Sequence, residues 1–166
     1  MLFGSLINFI SLVNRYLFTM DVKSLYTVIP NADGLSALKH FLGQRRSTYL
    51  YFATPCWIGW FLFYVQFYVQ VCGVAIGSKL GPSYACLFVG YQEYLITQQY
   101  LGPFPHRIKR YINDIVGATS LPREELQAFT NFVSNFHPAL KFTVEITDTS
   151  IPFLDIICFH LHICSL

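Results

Sequence analysis

The sequence predicts an α+β fold in which an antiparallel or mixed sheet carries its helices on one face. Two patterns lead to this prediction: apolar residues alternate with polar ones in some segments and recur every three or four residues in others. The order of these segments along the 166 residues is β-α-β-α-β-β-α-β-β. No shift in composition marks a boundary, so residues 1–166 are predicted to form a single domain with a core at about 17–157.

The first half of the chain is predicted to contain a strand and two helices that surround an aromatic segment. Residues 17–22 form a short strand that ends in Asp21, and residues 33–42 form a helix. The apolar face of this helix consists of Leu35, Leu38, Phe41 and Leu42. A second, largely buried helix is expected at 83–99, because Glu93 is its only charge and Pro82 suits a first helical turn.

The aromatic segment, Tyr49–Val71, has 23 residues without a charge, which is long enough to span a bilayer. Its period is that of a strand or a hairpin, and its aromatic and β-branched content agrees. The two alternating sets are Phe61, Phe63, Val65, Phe67, Val69 and Val71, and Tyr64, Gln66, Tyr68 and Gln70. Pro55 and Gly59 also interrupt a helix, so the membrane span is the less favoured interpretation.

The second half of the chain begins with a predicted hairpin at 108–118, whose polar pair Asn113-Asp114 lies at or near the tip. A helix follows with Ser120 as its N-cap. Its apolar face consists of Leu126, Phe129, Val133 and Phe136. Residues 142–146 alternate as a half-buried strand, and a last strand is predicted at about 151–159.

Composition limits the partners of this chain. Hydrophobic residues make up 54% and charged residues 12%, and the net charge of +2 is weak for a nucleic-acid-binding protein. Contacts to phosphate would have to come from small basic clusters, at Arg45-Arg46 and at 106–110. The five cysteines show no C-x-x-C spacing, so neither a disulfide framework nor a zinc site is predicted.

Two aspartates are the candidate catalytic residues. Asp21 ends an apolar strand, and Asp114 ends the tetrapeptide Tyr111-Ile112-Asn113-Asp114. Carboxylates that meet at one edge of a sheet can hold two Mg²⁺ ions, which clamp the attacking and leaving oxygens of a nucleotidyl transfer. Asn113 stands where such a site requires a second adjacent aspartate.

Five ordered segments resemble the palm of reverse transcriptases, and their sequences are similar to those of the Penelope-like retroelement branch. They are residues 21–30, 77–88, 110–114, 135–142 and 153–156, and the resemblance runs from about 5 to 157. It implies a partial, palm-like reverse transcriptase domain that lacks fingers and thumb. It also implies RNA-templated addition of deoxynucleotides to a DNA primer, with an RNA template and dNTP as partners, two Mg²⁺ ions and no small-molecule cofactor.

The resemblance also implies a role for particular residues. The metal ligands would be Asp21, Asp114 and the carbonyl of Val22, with Asn113 as the degenerate catalytic position. The nucleotide-binding residues would be Tyr26 beneath the sugar, Gly77, Gly81 and Pro82 in a loop-to-helix motif, and Lys141 near the triphosphate. The primer grip would be Phe153 and Leu154. Structural roles stay open as alternatives for Tyr26, Lys141 and Phe153.

The amide of Asn113 brings no charge to a site that is usually held by carboxylates, so we expect this copy to be inactive or nearly so. A non-enzymatic remnant that binds nucleic acid or protein is one alternative. A small membrane protein that spans at Tyr49–Val71 is another. Residues 1–12 are apolar but lack the basic region of a signal peptide, which predicts a nuclear or cytoplasmic protein rather than a secreted one.

Overall fold

A computed structural model of the protein describes residues 16–42, 60–63, 66–69, 72–74, 77 and 79–159. In chain order the elements are β1 (Tyr16–Val22), α1 (Leu25–Val28), α2 (Asn31–Leu42), β2 (Trp60–Phe63), β3 (Gln66–Val69), α3 (Gly81–Gln99), β4 (Arg107–Tyr111), β5 (Asp114–Thr119), α4 (Arg123–Phe136), β6 (Phe142–Thr147), β7 (Ser150–Phe153) and β8 (Ile156–Phe159). The described residues fall into two compact units. We call residues 16–22, 100–135 and 141–159 the sheet unit, and residues 23–99 and 136–140 the helix unit.

The sheet unit is built on four antiparallel strands in the order β4-β5-β1-β6. Strand β1 is central, and from Phe18 onward every second residue of it is buried, on a face that α4 covers. On this face Phe18 is fully buried and meets Phe129 of α4 edge to face, with ring centroids 6.5 Å apart. Gly117 lies opposite Phe18 on β5, where a side chain would run into the Phe18 ring. Gly117 therefore leaves room for the Phe18 ring that meets α4.

The opposite face of the sheet is covered at one end by the β7–β8 hairpin. Leu17, Ala118 and Ile151 form a small buried cluster there, against which Cys158 packs. Since Leu17, Thr19 and Asp21 alternate with the residues of the helix-covered face, this hairpin packs on the face that carries Asp21. Thus α4 and the hairpin lie on different faces of the sheet.

The helix unit is organised by the contact between α2 and α3. Gly34 of α2 and Tyr84 of α3 lie so close that a Cβ on Gly34 would overlap the tyrosine ring. His137 joins the same unit through its Nε2, which lies 3.2 Å from Oδ2 of Asp33. The amide of Ala139 donates to Nδ1 of His137, so Nε2 carries the proton and donates to Asp33.

The predicted fold class is confirmed, since the chain combines an antiparallel sheet with helices, one of which packs on the sheet. The hairpin interpretation of the aromatic segment is confirmed for 60–63 and 66–69, where β2 and β3 pair antiparallel. The rest of that segment, at 49–59, 64–65 and 70–71, lies outside the described residues, as does the basic pair Arg45-Arg46. In the described part of the chain no helix is long and apolar enough to cross a membrane.

Three predictions about local structure were wrong. Ser120 does not cap a helix, because α4 begins at Arg123 and the carbonyl of Pro122 accepts the first bond, from Leu126. The Ser120 hydroxyl instead lies 3.3 Å from Nδ1 of His106. The last strand is a hairpin that turns at Leu154-Asp155.

The third wrong prediction concerns helix faces. Of the face predicted for α2, Leu38 is buried, Leu35 is partly buried and Phe41 is 47% exposed, whereas the side chain of Leu42 lies outside the described part of the chain. Gly34 and Ala37, which were not predicted, are buried. On α3 the buried residues follow one face, and Tyr94 is exposed, so that helix is not largely buried. Small residues face α3 because Tyr84 occupies the space between the helices.

Candidate functional site

Asp21 and Asp114 lie directly opposite each other on the neighbouring strands β1 and β5. Cross-strand partners project their side chains from the same face of an antiparallel sheet, so both carboxylates stand on one face. Their row continues to Tyr111 on the edge strand β4 and to Thr143 on β6. The structure therefore brings together the two aspartates that the sequence analysis identified.

Asn113 belongs to the turn between β4 and β5, one residue before Asp114. Its side-chain Nδ2 donates a hydrogen bond of 2.7 Å to Oδ1 of Asp21. A carboxylate only accepts, so the NH₂ group of Asn113, and not its carbonyl oxygen, must face Asp21. Its backbone carbonyl accepts from the amide of Val22 at 3.1 Å. Asn113 thus holds the end of β1 through both its backbone and its side chain.

The two carboxylates repel each other. Partial burial raises the pKa of Asp114 above its ordinary value, and the charge of Asp21 raises it further. The amide of Asn113 offsets part of the charge on Asp21, because a hydrogen bond to the ionised form stabilises it. An aspartate at position 113 would remove that donor and add a third negative charge.

The turn that carries Asn113 is tight and strained. Ile112 has φ of 53°, a left-handed conformation that is costly for a β-branched residue. A guanidinium nitrogen of Arg110 donates to the carbonyl of Ile112 at 2.9 Å. Strain of this kind persists where the surroundings fix the backbone, and the turn that contains it places Asn113 beside Asp21.

The donor set does not fit a two-ion site. Asn113 brings an uncharged amide beside the two carboxylates, and Oδ1 of Asp21 already accepts a hydrogen bond from that amide. Within the described ranges no group of three or more histidine, cysteine, aspartate or glutamate side chains could hold a metal ion. The carbonyl of Val22, which the resemblance adds as a ligand, lies at the end of β1 beside these residues.

Other predicted site residues also lie in the sheet unit. Lys141 is exposed and directly precedes Phe142, the partner of Val22, so it lies at the same end of the sheet as the aspartates. Phe153 is buried at the end of β7. Leu154 begins the turn to β8 with φ of 53° and is half exposed.

The remaining predicted residues belong to the helix unit. Tyr26 is half-buried in α1, and its carbonyl accepts from the amide of Val74 at 2.7 Å. Gly77 adopts φ of 90°, and Pro82 occupies the first turn of α3, which begins at Gly81. These positions suit a loop that leads into a helix, as the resemblance implied.

Gly73 is the first residue of the glycine-rich loop, the sequence at 73–82, and the sequence analysis gave it no role. It has φ of 80°, and a Cβ there would lie 2.6 Å from the carbonyl oxygen of Tyr26. Its amide donates to the carbonyl of Ile29 at 2.7 Å. Gly73 therefore lets the start of the glycine-rich loop lie against Tyr26, and the glycine beside β-branched residues was the available signal in the sequence.

The fold can be compared with known structures. Over 87% of its length the chain is similar to an apo telomerase of Candida tropicalis truncated from the C-terminal domain, with a TM-score of 0.63 and 10% identity. It is similar over 89% of its length to another apo telomerase of that organism, with a TM-score of 0.65 and 10% identity. A Candida albicans telomerase in complex with a TWJ fragment of telomeric RNA matches over 87%, with a TM-score of 0.62 and 10% identity.

The chain shares its fold with part of each of these telomerases. It spans about a third of the length of the telomerase chains it matches, which it covers to 34%, 32% and 30%. No family model matches the chain, and no curated protein matches its sequence. The likeness supports the predicted palm-like architecture. It does not distinguish one branch of the family from another.

Proposed function

We propose that this chain is the palm region of a retrotransposon reverse transcriptase of the Penelope-like branch, and that its catalytic site is degenerate. The ancestral reaction is the addition of deoxynucleotides to a DNA primer on an RNA template, with two Mg²⁺ ions as the cofactor. The place of action is the nucleus or the cytoplasm. In this copy Asp21, Asn113 and Asp114 occupy the positions of the catalytic site but do not support the addition of nucleotides.

The single observation that carries the proposal is the hydrogen bond from Asn113 to Asp21, opposite Asp114. Two aspartates face each other across the neighbouring strands β1 and β5, as nucleotidyl transfer by metal ions would need. At the position where a third carboxylate is expected, the side-chain amide of Asn113 donates a hydrogen bond to Asp21. This arrangement fits a polymerase site that kept its fold and lost a ligand.

The polymerase fold and the ordered motifs support the proposal from two directions. The telomerases of similar fold include one that is described in complex with RNA, which fits nucleic acid as a partner of this chain. The Penelope-like branch rests on the five sequence segments alone. Along the sequence, the aspartates, the glycine-rich loop and the last hairpin follow the same order as the palm motifs.

Primer extension tests the proposal. The purified chain is incubated with an RNA template, an annealed DNA primer, dNTP and either Mg²⁺ or Mn²⁺, and the expected result is no product above background. Robust extension that depends on the template and is abolished in Asp21→Ala would contradict the proposed loss of catalysis.

A chimera tests the role given to Asn113 separately. This palm is grafted into an active reverse transcriptase in place of its own palm, once unchanged and once with Asn113→Asp. The unchanged graft is expected to be inactive, and the Asn113→Asp graft is expected to extend the primer. Equal activity of the two grafts would show that the amide at this position is not what abolishes catalysis.

A further inference from the structure

We infer that strand β8 is an open edge through which two copies of this chain pair, β8 antiparallel to β8, about a two-fold axis at Cys158. The pairing joins the hairpin of one copy to that of the other, in the strand order β7-β8-β8-β7. This inference goes beyond the proposed function, because it concerns the association of copies and not the addition of nucleotides.

Strand β8 is the exception among the edge strands of the sheet unit. Edge strands usually carry charges or proline, which prevent pairing with another chain. The other edges of the unit follow this rule, with Arg107, Lys109 and Arg110 on β4, Glu145 on β6 and Pro152 on β7. Strand β8 has neither a charge nor a proline, and it consists of Ile156, Ile157, Cys158 and Phe159. Its β-branched and aromatic side chains favour a strand that pairs.

Pro152 determines which residues of β8 direct their backbone groups outward. It lies opposite Ile157 in the β7–β8 hairpin, and proline has no N–H to donate. Opposite residues of an antiparallel pair alternate between those that exchange both backbone hydrogen bonds and those that exchange none. Pro152 and Ile157 must be of the second kind, so Ile151 and Cys158 are of the first kind. The N–H and C=O groups of Ile157 and Phe159 consequently point away from β7.

The side chains of this edge are exposed as well. Ile157 is 61% exposed and Phe159 is 65% exposed. Cys158 alternates to the other face, where it packs against the buried cluster that contains Ile151. Within the described part of the chain no strand pairs with the outer edge of β8. A single copy therefore leaves apolar side chains and backbone donors of this edge in water.

A second copy fits this edge because the edge is complementary to itself. When Cys158 lies opposite Cys158 of the second copy, Ile157 of each copy lies opposite Phe159 of the other. The outward residues of both strands then exchange backbone hydrogen bonds, and a β-branched side chain meets an aromatic ring. A shift toward the turn would instead place Phe159 opposite Asp155, which belongs to the turn. Since β8 carries no charge, the two strands do not repel each other.

The same edges limit the association to two copies. A fibre would require each copy to pair through two different edges. Pro152 removes a donor from the outer edge of β7, and charges stand on β4 and β6. Strand β8 is thus the open edge of the sheet unit, and pairing through it uses that edge in both copies.

An extended segment of another protein is the competing occupant. Such a segment would need apolar side chains at alternate positions to match Ile157 and Phe159. A second copy brings this pattern with it, in the register that satisfies both strands. The contact is then isologous, which is the commonest arrangement of two identical subunits.

The mass of the purified chain, measured by sedimentation equilibrium over a concentration series, tests the inference. The wild-type chain is expected to change from one copy to two as its concentration rises. Ile157→Lys places a charge on the edge and is expected to weaken the association by about tenfold. Leu101→Lys is the matched control, because it introduces the same charge at a side chain that is 98% exposed outside the hairpin. It is expected to leave the association unchanged.

Thiol oxidation by diamide gives a second readout. The pair at the axis brings the two Cys158 Cα atoms to about 4.5 Å, which is within the range of a disulfide. Burial raises the pKa of Cys158, so its thiol reacts more slowly than an exposed one when copies collide at random. A crosslinked dimer is expected to persist in Cys72→Ser, which removes an exposed cysteine, and to disappear in Cys158→Ser.

Four outcomes would overturn the inference. They are a mass of one copy at every concentration of the wild-type chain, a mass that rises beyond two copies, an equal loss of association in Ile157→Lys and Leu101→Lys, and a crosslink that persists in Cys158→Ser. Thermal melts verify that each variant remains folded. Phe159→Lys repeats the mass measurement at the other outward residue if Ile157→Lys unfolds the chain.

Discussion

Asn113 donates a 2.7 Å hydrogen bond to Asp21, a residue 92 positions earlier in the chain. The bond joins the turn of the β4–β5 hairpin to the end of the central strand, where Asp114 lies opposite Asp21. A metal-binding aspartate at position 113 would be repelled by both neighbours until a cation arrived. The amide makes the same junction without a cation. Asn113 therefore joins the hairpin turn to the end of β1 without adding a third negative charge.

Asn113→Asp is predicted to destabilise the metal-free chain by about 1–2 kcal/mol, because it removes a donor to a carboxylate and adds a third negative charge. Mn²⁺ or Mg²⁺ should then restore the melting temperature of this variant. Thermal melts with EDTA and with each metal measure the effect. Asn113→Ala is the matched control, since it loses the same hydrogen bond without gaining a ligand. Equal metal responses in the two variants would refute the prediction.

Asp114→Asn is predicted to raise the free energy of unfolding at neutral pH by up to about 1 kcal/mol, because it removes a charge that is partly buried and is repelled by Asp21. The pKa of Asp114 is raised in the folded state, so the stability it contributes is present below its ordinary value of 3.8 and is lost as the pH rises through the folded pKa. The gain should therefore vanish in acid. Urea unfolding across this pH range provides the measurement, with the exposed Asp148→Asn as control.

The sheet and the pair of aspartates followed from the sequence because their signals are local. Alternation predicted β1 and β6, and the polar pair at 113–114 predicted the hairpin between β4 and β5. Two opposed strands then place Asp21 and Asp114 on one face.

Other features depend on distant residues or on unusual backbone, and the sequence could not predict them. Leu154 turns the last hairpin at φ of 53°, although leucine is a poor turn residue, so a single strand was predicted there. The buried face of α2 is set by Tyr84, far along the chain, rather than by the largest apolar side chains. The orientation of the Asn113 amide depends on Asp21.

Gly73→Ala is predicted to destabilise the chain by roughly 2–4 kcal/mol, since the new Cβ would meet the backbone of Tyr26 and Thr27 while φ stays left-handed. Gly77→Ala should cost only about 1–2 kcal/mol, because its φ of 90° is similarly strained but its Cβ meets nothing within 4 Å. Chemical unfolding of the two variants compares a close approach with backbone strain alone. Similar costs would show that the loop does not lie against Tyr26.

Gly117→Ala is predicted to destabilise the sheet unit by about 1–3 kcal/mol, because overpacking forces side chains or backbone to shift. The added Cβ would overlap the ring of Phe18, which is fully buried between β1 and α4 and has little room to move. Replacing that ring with a smaller side chain, in Phe18→Leu, is expected to destabilise the chain when made alone. Combined with Gly117→Ala, it should recover part of the stability that Gly117→Ala loses. A double-mutant cycle measured by urea unfolding should give a coupling of roughly 0.5–3 kcal/mol. Additive costs would mean that the added Cβ of position 117 does not meet the ring of Phe18.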